Sequence, residues 1–312
     1  MSMSPLRFDG KVAIVTGSGG NPSLGRAHAM LLAARGAKLV INDNAVRPEI
    51  PGDTGSVSAA MVVDEIRAVG GIAVADQNTV ANEEGAAAII RTAIEHFGRI
   101  DILVNNAAIS QAAPIDVMTP HDFRRHIEIN LMGAYYMCRA AWPHMKRNRY
   151  GRIVNVTSAA MTGFADQTAY ATSKGGLWSL TRALAAEGEN FGIKVNAVSP
   201  GGFTRMVAAL LDDDSPLLQY SQAHLQPELS SPALAFLCHE TCPVTGECID
   251  SVGGQMQRTY ISRTKGFADP EVTIETVAQR WEDIMAPNEA EIVGVATLDT
   301  ASWKIRPYVA AS

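Results

Sequence analysis

The segment that most constrains this chain lies near its start. Val12-Ala13-Ile14-Val15 is a short β-branched run suited to a buried strand, and it breaks at Thr16-Gly17-Ser18-Gly19-Gly20-Asn21-Pro22-Ser23-Leu24-Gly25 before an Ala/Leu-rich helical stretch. Strand, glycine loop and helix in that order bring backbone N–H groups and the positive end of a helix dipole to where a pyrophosphate can approach. Gly17, Ser23, Leu24 and Gly25 are the candidate residues. The following run, Lys38-Leu39-Val40-Ile41-Asn42-Asp43, ends in an acid eighteen residues past Gly25. A carboxylate there accepts hydrogen bonds from ribose hydroxyls and repels a 2′-phosphate, so Asp43 predicts NAD in preference to NADP. Arg47 is the opposing signal, a cation that a folded-back loop would bring to a 2′-phosphate. As a mere turn, the same glycine loop would bind nothing, and the rest of the chain has to decide.

Tyr170 and Lys174 stand four residues apart in Tyr170-Ala171-Thr172-Ser173-Lys174, with Ser158 twelve residues upstream. On a helix, residues four apart share a face. The ammonium then favours the phenolate and lowers a pKa that starts at about 10 toward the working pH, which makes a general base for an alcohol. Taken singly, the pair reads equally well as two residues of an amphipathic helix, and Ser158 as a strand-end hydroxyl.

With these residues in this order, the chain resembles the short-chain dehydrogenase/reductase family over nearly its whole length. Asn105-Asn106-Ala107-Ala108 matches the family's Asn-Asn-Ala-Gly element, with alanine in place of the final glycine. Asn130 matches the asparagine of its Asn-Ser-Tyr-Lys tetrad, and Pro200-Gly201 and Val252-Gly253-Gly254 match the turns after its sixth and seventh strands. The resemblance implies a catalytic set of Asn130, Ser158, Tyr170 and Lys174. It implies that cofactor contacts extend to Asn78, Thr79, Asn106, Ala107, Pro200, Gly201 and Thr204, and that Tyr170 and Lys174 also touch the cofactor. Asn130 is implied to hold a water that relays protons to solvent.

The glycine loop departs from the family pattern, being two residues longer, with Ser23 in place of the middle glycine. It looks like the loop of enoyl reductases, yet those relatives space tyrosine and lysine more widely, so carbonyl and alcohol chemistry is expected here. A narrower resemblance is to the (3R)-hydroxyacyl-CoA dehydrogenase, or 17β-hydroxysteroid dehydrogenase, part of peroxisomal multifunctional enzymes. It rests on Phe8-Asp9-Gly10, Val40-Ile41-Asn42-Asp43, Arg139-Ala140-Ala141-Trp142-Pro143-His144-Met145-Lys146 and Leu237-Cys238-His239-Glu240-Thr241-Cys242, with a similar tail around Arg280-Trp281.

Alternating strand and helix patterns, with strands near 11–16, 37–42, 71–75, 101–104, 151–157, 192–198 and 247–250, predict an α/β, Rossmann-type doubly wound parallel sheet with helices on both faces. A domain over 1–254 and a C-terminal extension over 255–312, packed on the same domain and helical across Val272–Ile284, are expected. The Pro-, Gly- and Asp-rich stretch from Asn44 to Ser56 reads as a surface insertion beside the adenosine end. A net charge of −6 with no basic block argues against nucleic acid. The start lacks a signal peptide's apolar core and no run approaches the ~20 residues of a membrane span, so a cytoplasmic protein is expected. Cys138, Cys238, Cys242 and Cys248 lack a paired metal-ligand spacing, and His239 among them reads as an ordinary neighbour of buried thiols, with no metal implied. His121 and His126, five apart, read as solvated or hydrogen-bonded.

The expected activity is NAD-dependent interconversion of a hydrophobic secondary alcohol and its ketone, with hydroxyacyl-CoA and hydroxysteroid substrates first to try. Phe203, Met206, Leu210 and Leu211 are available to an apolar substrate. The acids Asp212-Asp213-Asp214 beside Arg205 form a poor complement for coenzyme A phosphates. The alternatives are an NAD(H)-binding regulatory protein without turnover and an NADP-dependent carbonyl reductase. Pairing through helices at about Asn130–Arg147 and Thr168–Glu189 into a homodimer or homotetramer follows from the resemblance.

Overall fold

The computed structural model describes residues 4–44 and 58–295; Arg47 and most of the expected insertion lie outside them. The apolar runs become strands β1 Val12–Thr16, β2 Lys38–Asn42, β3 Ile72–Asp76, β4 Ile102–Asn105, β5 Gly151–Val156, β6 Ile193–Gly201 and β7 Cys248–Val252. Every residue of β1, β4 and β5 is buried, as expected for central strands of a parallel sheet covered on both faces. The sheet order is β3-β2-β1-β4-β5-β6-β7, and every one of these pairings is parallel. The winding direction reverses between β1 and β4. That reversal opens a crevice at the carboxyl ends of the two strands.

The helices are α1 Leu24–Ala34, α2 Ala59–Ala68, α3 Glu83–Phe97, α4 Pro120–His126, α5 Gly133–Asn148, α6 Thr168–Gly188, α7 Arg205–Leu210, α8 Pro216–His224 and α9 Ser231–Cys238. Ser23, Asn82, Thr119 and Thr204 cap α1, α3, α4 and α7 by accepting a backbone N–H in the first turn, each worth about 1 kcal/mol. Leu32, Ile66, Leu234 and Leu237 from α1, α2 and α9 join Leu39 and Ile41 of β2 in one apolar cluster. The layer of α3, α5 and α6 packs against β1, β5 and β6. Between α4 and α5 the chain passes through a π-helical turn, Ile127–Met132, which carries Asn130. Such turns are rare and recur at functional sites.

A further strand, β8 Gln255–Thr259, follows β7 across the two-residue turn Gly253-Gly254 and closes that edge of the sheet. The sheet thus continues past the Gly254 boundary expected from sequence. Gln-Met-Gln-Arg-Thr has no apolar run to announce a strand, and its side chains are mostly exposed. The chain divides into two compact units, 1–258 and 259–312. Within the second, β9 Ser262–Arg263 pairs antiparallel with β10 Glu291–Ile292, and the expected helix is two short ones, α10 Ile274–Gln279 and α11 Trp281–Met285. No helix among the described residues is long and apolar enough to cross a membrane.

Candidate active site

The crevice is a cavity of about 780 Å³ lined by the glycine loop, the ends of β2, β4 and β5, α6 and α7. One end is made mainly of backbone. Gly17 has φ +63°, and a Cβ there would stand 2.7 Å from Ala107 Cα; a Cβ on Gly25 would stand 2.6 Å from both Asn106 Nδ2 and Gly17 O. Only glycine permits this approach. Asn106 fastens the loop from behind, donating Nδ2 to Thr16 O (2.8 Å) and Gly17 O (2.9 Å). Thr16 Oγ1 accepts from the backbone N–H groups of Asn106 and Ala107, 3.1 Å each. Asp43, 3% exposed, accepts from Gly19 N at 2.8 Å and also faces the cavity. Next to it, Asp76 holds Asn78 through its backbone N–H (2.9 Å) and Nδ2 (3.0 Å), and Asn42 donates to Asn78 O at 2.8 Å.

The other end is made of side chains. Ser158 leaves β5, accepts from Ala160 N at 3.2 Å, and faces the cavity beside Tyr170. Burial pushes the Tyr170 pKa up, and the neighbouring Ser158 hydroxyl offsets only part of that rise. Lys174, one turn along α6 and 2% exposed, has Nζ 5.6 Å from the Tyr170 ring centroid and donates to Val156 O at 2.7 Å. Desolvation pushes its pKa down to about 7. The phenol is therefore held above its ordinary value in this state, opposite to the lowering the four-residue spacing predicts. The lysine charge is itself disfavoured by burial and offers little compensation.

Asn130 does not line the cavity. Its Nδ2 donates to Ile109 O (2.9 Å) and Ser173 Oγ (3.0 Å), and its Oδ1 accepts from Ile109 N (2.8 Å). Ser173 Oγ in turn donates to Tyr170 O at 2.7 Å. Both N–H groups of the amide are thus spent on joining the segment after β4 to the first turns of α6.

A family model described as short chain dehydrogenase matches residues 11–215. The chain belongs to the short-chain dehydrogenase family. It is 38% identical over 296 residues to the peroxisomal multifunctional enzyme type 2 of Drosophila melanogaster, covering 93% of this chain and 47% of that one. The chain thus spans about half the length of this relative, whose full-length structure superposes with a TM-score of 0.74 at 34% identity, over 93% of this chain and 48% of that one. A short chain dehydrogenase from Mycobacterium avium gives a TM-score of 0.75 at 32% identity, covering 92% of this chain and 98% of that one. A gluconate 5-dehydrogenase from Burkholderia cenocepacia J2315, solved with NADP and tartrate, gives 0.69 at 29% identity over 80% and 96% of the two chains.

Short-chain dehydrogenases are oxidoreductases that use a nicotinamide cofactor, and the glycine loop of this chain fits such a dinucleotide, because Gly17, Ser23, Leu24 and Gly25 line the cavity together with Asp43. The structure brings Gly17, Ser23, Leu24, Gly25, Asp43, Asn78, Thr79, Asn106, Ala107, Ser158, Tyr170, Lys174, Pro200 and Thr204 to the cavity wall. Gly201 stands behind it, where a Cβ would meet Val252 Cγ1 at 2.6 Å. Of the four apolar residues expected on the substrate side, Met206 and Leu210 line the cavity and Phe203 and Leu211 do not. Sequence reasoning missed Ser110, Gln111, Arg125 and His126 as wall residues and gave Arg205 no place at the glycine loop. His126 is buried with both ring nitrogens engaged, Nδ1 donating to Asp122 O (2.8 Å) and Nε2 accepting from Gln111 N (3.1 Å). The four cysteines are free and buried, and among the described residues no group of three or more His, Cys, Asp or Glu is arranged to hold a metal.

Proposed function

We propose that this short-chain dehydrogenase interconverts a hydrophobic secondary alcohol and its ketone with NAD, and that 3-hydroxyacyl-CoA thioesters and hydroxysteroids are the first substrates to try. The observation that carries this reading is the placement of Ser158, Tyr170 and Lys174 on the wall of the same cavity as the glycine loop, with Lys174 Nζ 5.6 Å from the Tyr170 ring centroid. In the oxidation, Tyr170 as phenolate takes the hydroxyl proton while Ser158 holds the same oxygen. A bound nicotinamide supplies the hydride acceptor. Lys174 as ammonium binds the nicotinamide ribose and favours the phenolate; Asn130 fixes the height of α6 and hence of Tyr170.

NAD is favoured by the buried Asp43 carboxylate on the cavity wall, which would meet a 2′-phosphate with like charge. An apolar substrate is favoured by Ile109, Ala112, Ile129, Met206 and Leu210 around the catalytic end. The thioester suggestion rests on similarity to the peroxisomal multifunctional enzyme. Pairing of copies through α5 and α6 belongs to the same reading, and light scattering that gives only monomer at micromolar concentration would reject it.

The deciding experiment is a panel of secondary alcohols and ketones, including 3-hydroxyacyl-CoA and hydroxysteroids, run with each nicotinamide cofactor. NADH formation with a higher kcat/KM than NADPH formation is expected. Cofactor binding without turnover on the whole panel would support a sensor of NAD(H) instead, and preference for NADP would support a carbonyl reductase.

A further inference from the structure

The lengthened glycine loop has partly spent its own donors. Ser18 N donates to Asn42 O (3.0 Å) and Gly19 N to Asp43 Oδ2 (2.8 Å), so these amides hold the loop to the end of β2 and are turned away from a ligand. Arg26 N is taken by the Ser23 cap at 3.3 Å. α1 carries no basic residue in its last turn and no acidic one in its first. Bringing a doubly charged pyrophosphate to this loop therefore calls for positive charge from another element.

Arg205 is placed to supply it. It opens α7 on the opposite side of the cavity, its backbone N–H donates to Pro22 O at 3.3 Å, and its side chain lies on the loop itself. A Cβ on Gly20 would stand 2.6 Å from Arg205 Nη2 and 3.3 Å from Cζ. The Nε and Nη2 atoms are shielded from solvent, where a guanidinium attracts an anion more strongly than it does at a surface. The other cations on the cavity wall stand elsewhere along it, Lys174 beside Tyr170 and Arg125 on α4.

We propose that Arg205 is a clamp for the cofactor pyrophosphate, carried on α7 and reaching across to the stretched loop in place of the amides the loop has spent. The proposal rests on the dinucleotide reading above and adds to it the residue that couples α7 to cofactor binding. Gly20 is part of the device, since any side chain there would lift the guanidinium off the loop.

The test is binding of NADH, NADPH and ADP-ribose to the full chain by calorimetry, with melting temperature as the check on folding. Arg205→Met keeps length and removes charge, and is expected to weaken NADH and ADP-ribose alike by about ten- to a hundredfold and to flatten the salt dependence of binding. Arg205→Lys is expected to recover part of the loss. Gly20→Ala, which keeps the charge and displaces it, is expected to weaken binding in the same pattern to a smaller extent. A folded Arg205→Met protein with wild-type affinity overturns the clamp while leaving the dinucleotide reading intact. A loss confined to NADPH also overturns it, since Arg205 would then read the 2′-phosphate. Wild-type protein that binds none of the three ligands overturns the dinucleotide reading and the clamp together.

Discussion

The glycine-loop end and the catalytic end of the cavity are built from different materials. At the first, Gly17, Gly25 and the backbone of Asn106 and Ala107 shape the site, and the side chains of Thr16, Asn106 and Asp43 serve mainly to hold that backbone in place. At the second, Ser158, Tyr170 and Lys174 present functional groups from β5 and α6, and the backbone beneath them supplies only a carbonyl for Lys174. A backbone site depends on what is absent, because an added Cβ at Gly17 or Gly25 would push the loop off Ala107 or Asn106. A side-chain site depends on what is present.

The largest expected difference comes from Tyr170→Phe. It keeps the ring and removes the proton acceptor, so turnover should fall by about 10²–10⁴-fold while dinucleotide affinity stays near wild type. In the wild type, the upward push on the phenol predicts an alcohol oxidation rate that rises with pH as Tyr170 ionises. Near-wild-type kcat in the variant would dissolve the contrast between the two ends. Asp43→Ser comes next. Losing a charge-assisted hydrogen bond costs about 1.5–3 kcal/mol, so NAD affinity should fall about ten- to a hundredfold and discrimination against NADP should shrink. Because Asp43 also holds Gly19 N, the melting temperature has to be read alongside. A folded variant with an unchanged cofactor ratio would make Asp43 a loop fastener only.

Gly17→Ala probes the backbone end directly. Its φ of +63° and the 2.7 Å approach of Ala107 Cα predict a loss of about 2 kcal/mol in stability together with weaker cofactor binding, measured by denaturant unfolding and calorimetry. The last effect is spread over a range of pH. Lys174 has its pKa lowered from 10.5 to about 7 on folding, so between those values the unfolded chain binds the extra proton. Stability of the cofactor-free protein should therefore rise with pH through that window, by at most ~1.4 kcal/mol per pH unit from this group, and Lys174→Met should flatten the rise. An unaltered slope in the variant would mean that Lys174 keeps its charge in the fold.

The same contrast explains what the sequence disclosed. The strands were legible because β1 and β4 are almost wholly apolar runs and β5 has Ile153-Val154 at its centre, and the glycine loop because close backbone approach leaves a compositional trace. Tyr170, Lys174 and Ser158 were legible from helical spacing and family order. β8 was not, since Gln255–Thr259 has Met256 as its single apolar residue, although Gly253-Gly254 before it is a two-residue hairpin signal. His126, Gln111 and Arg205 were illegible in another way. They meet the site from the end of the seven-residue α4, a loop after β4 and the start of the six-residue α7, none of which is long enough to show a periodicity, and Arg205 shows itself only by standing next to Thr204. Phe203 and Leu211 illustrate the converse, being apolar residues in the right segment that do not line the cavity.

The bonds of Asn130 have a consequence for traffic through the site. By tying Ile109 to Ser173 they bolt one wall of the cavity to the helix that carries the base, so that wall swings only if α6 swings with it. The facing wall is a six-residue helix joined to the glycine loop by the Arg205 N–Pro22 O bond. The hinge for admitting and releasing ligands should then lie at 202–211, and amide exchange there should outpace exchange at 127–132. Asn130 would thus keep the door and the machinery on separate frames.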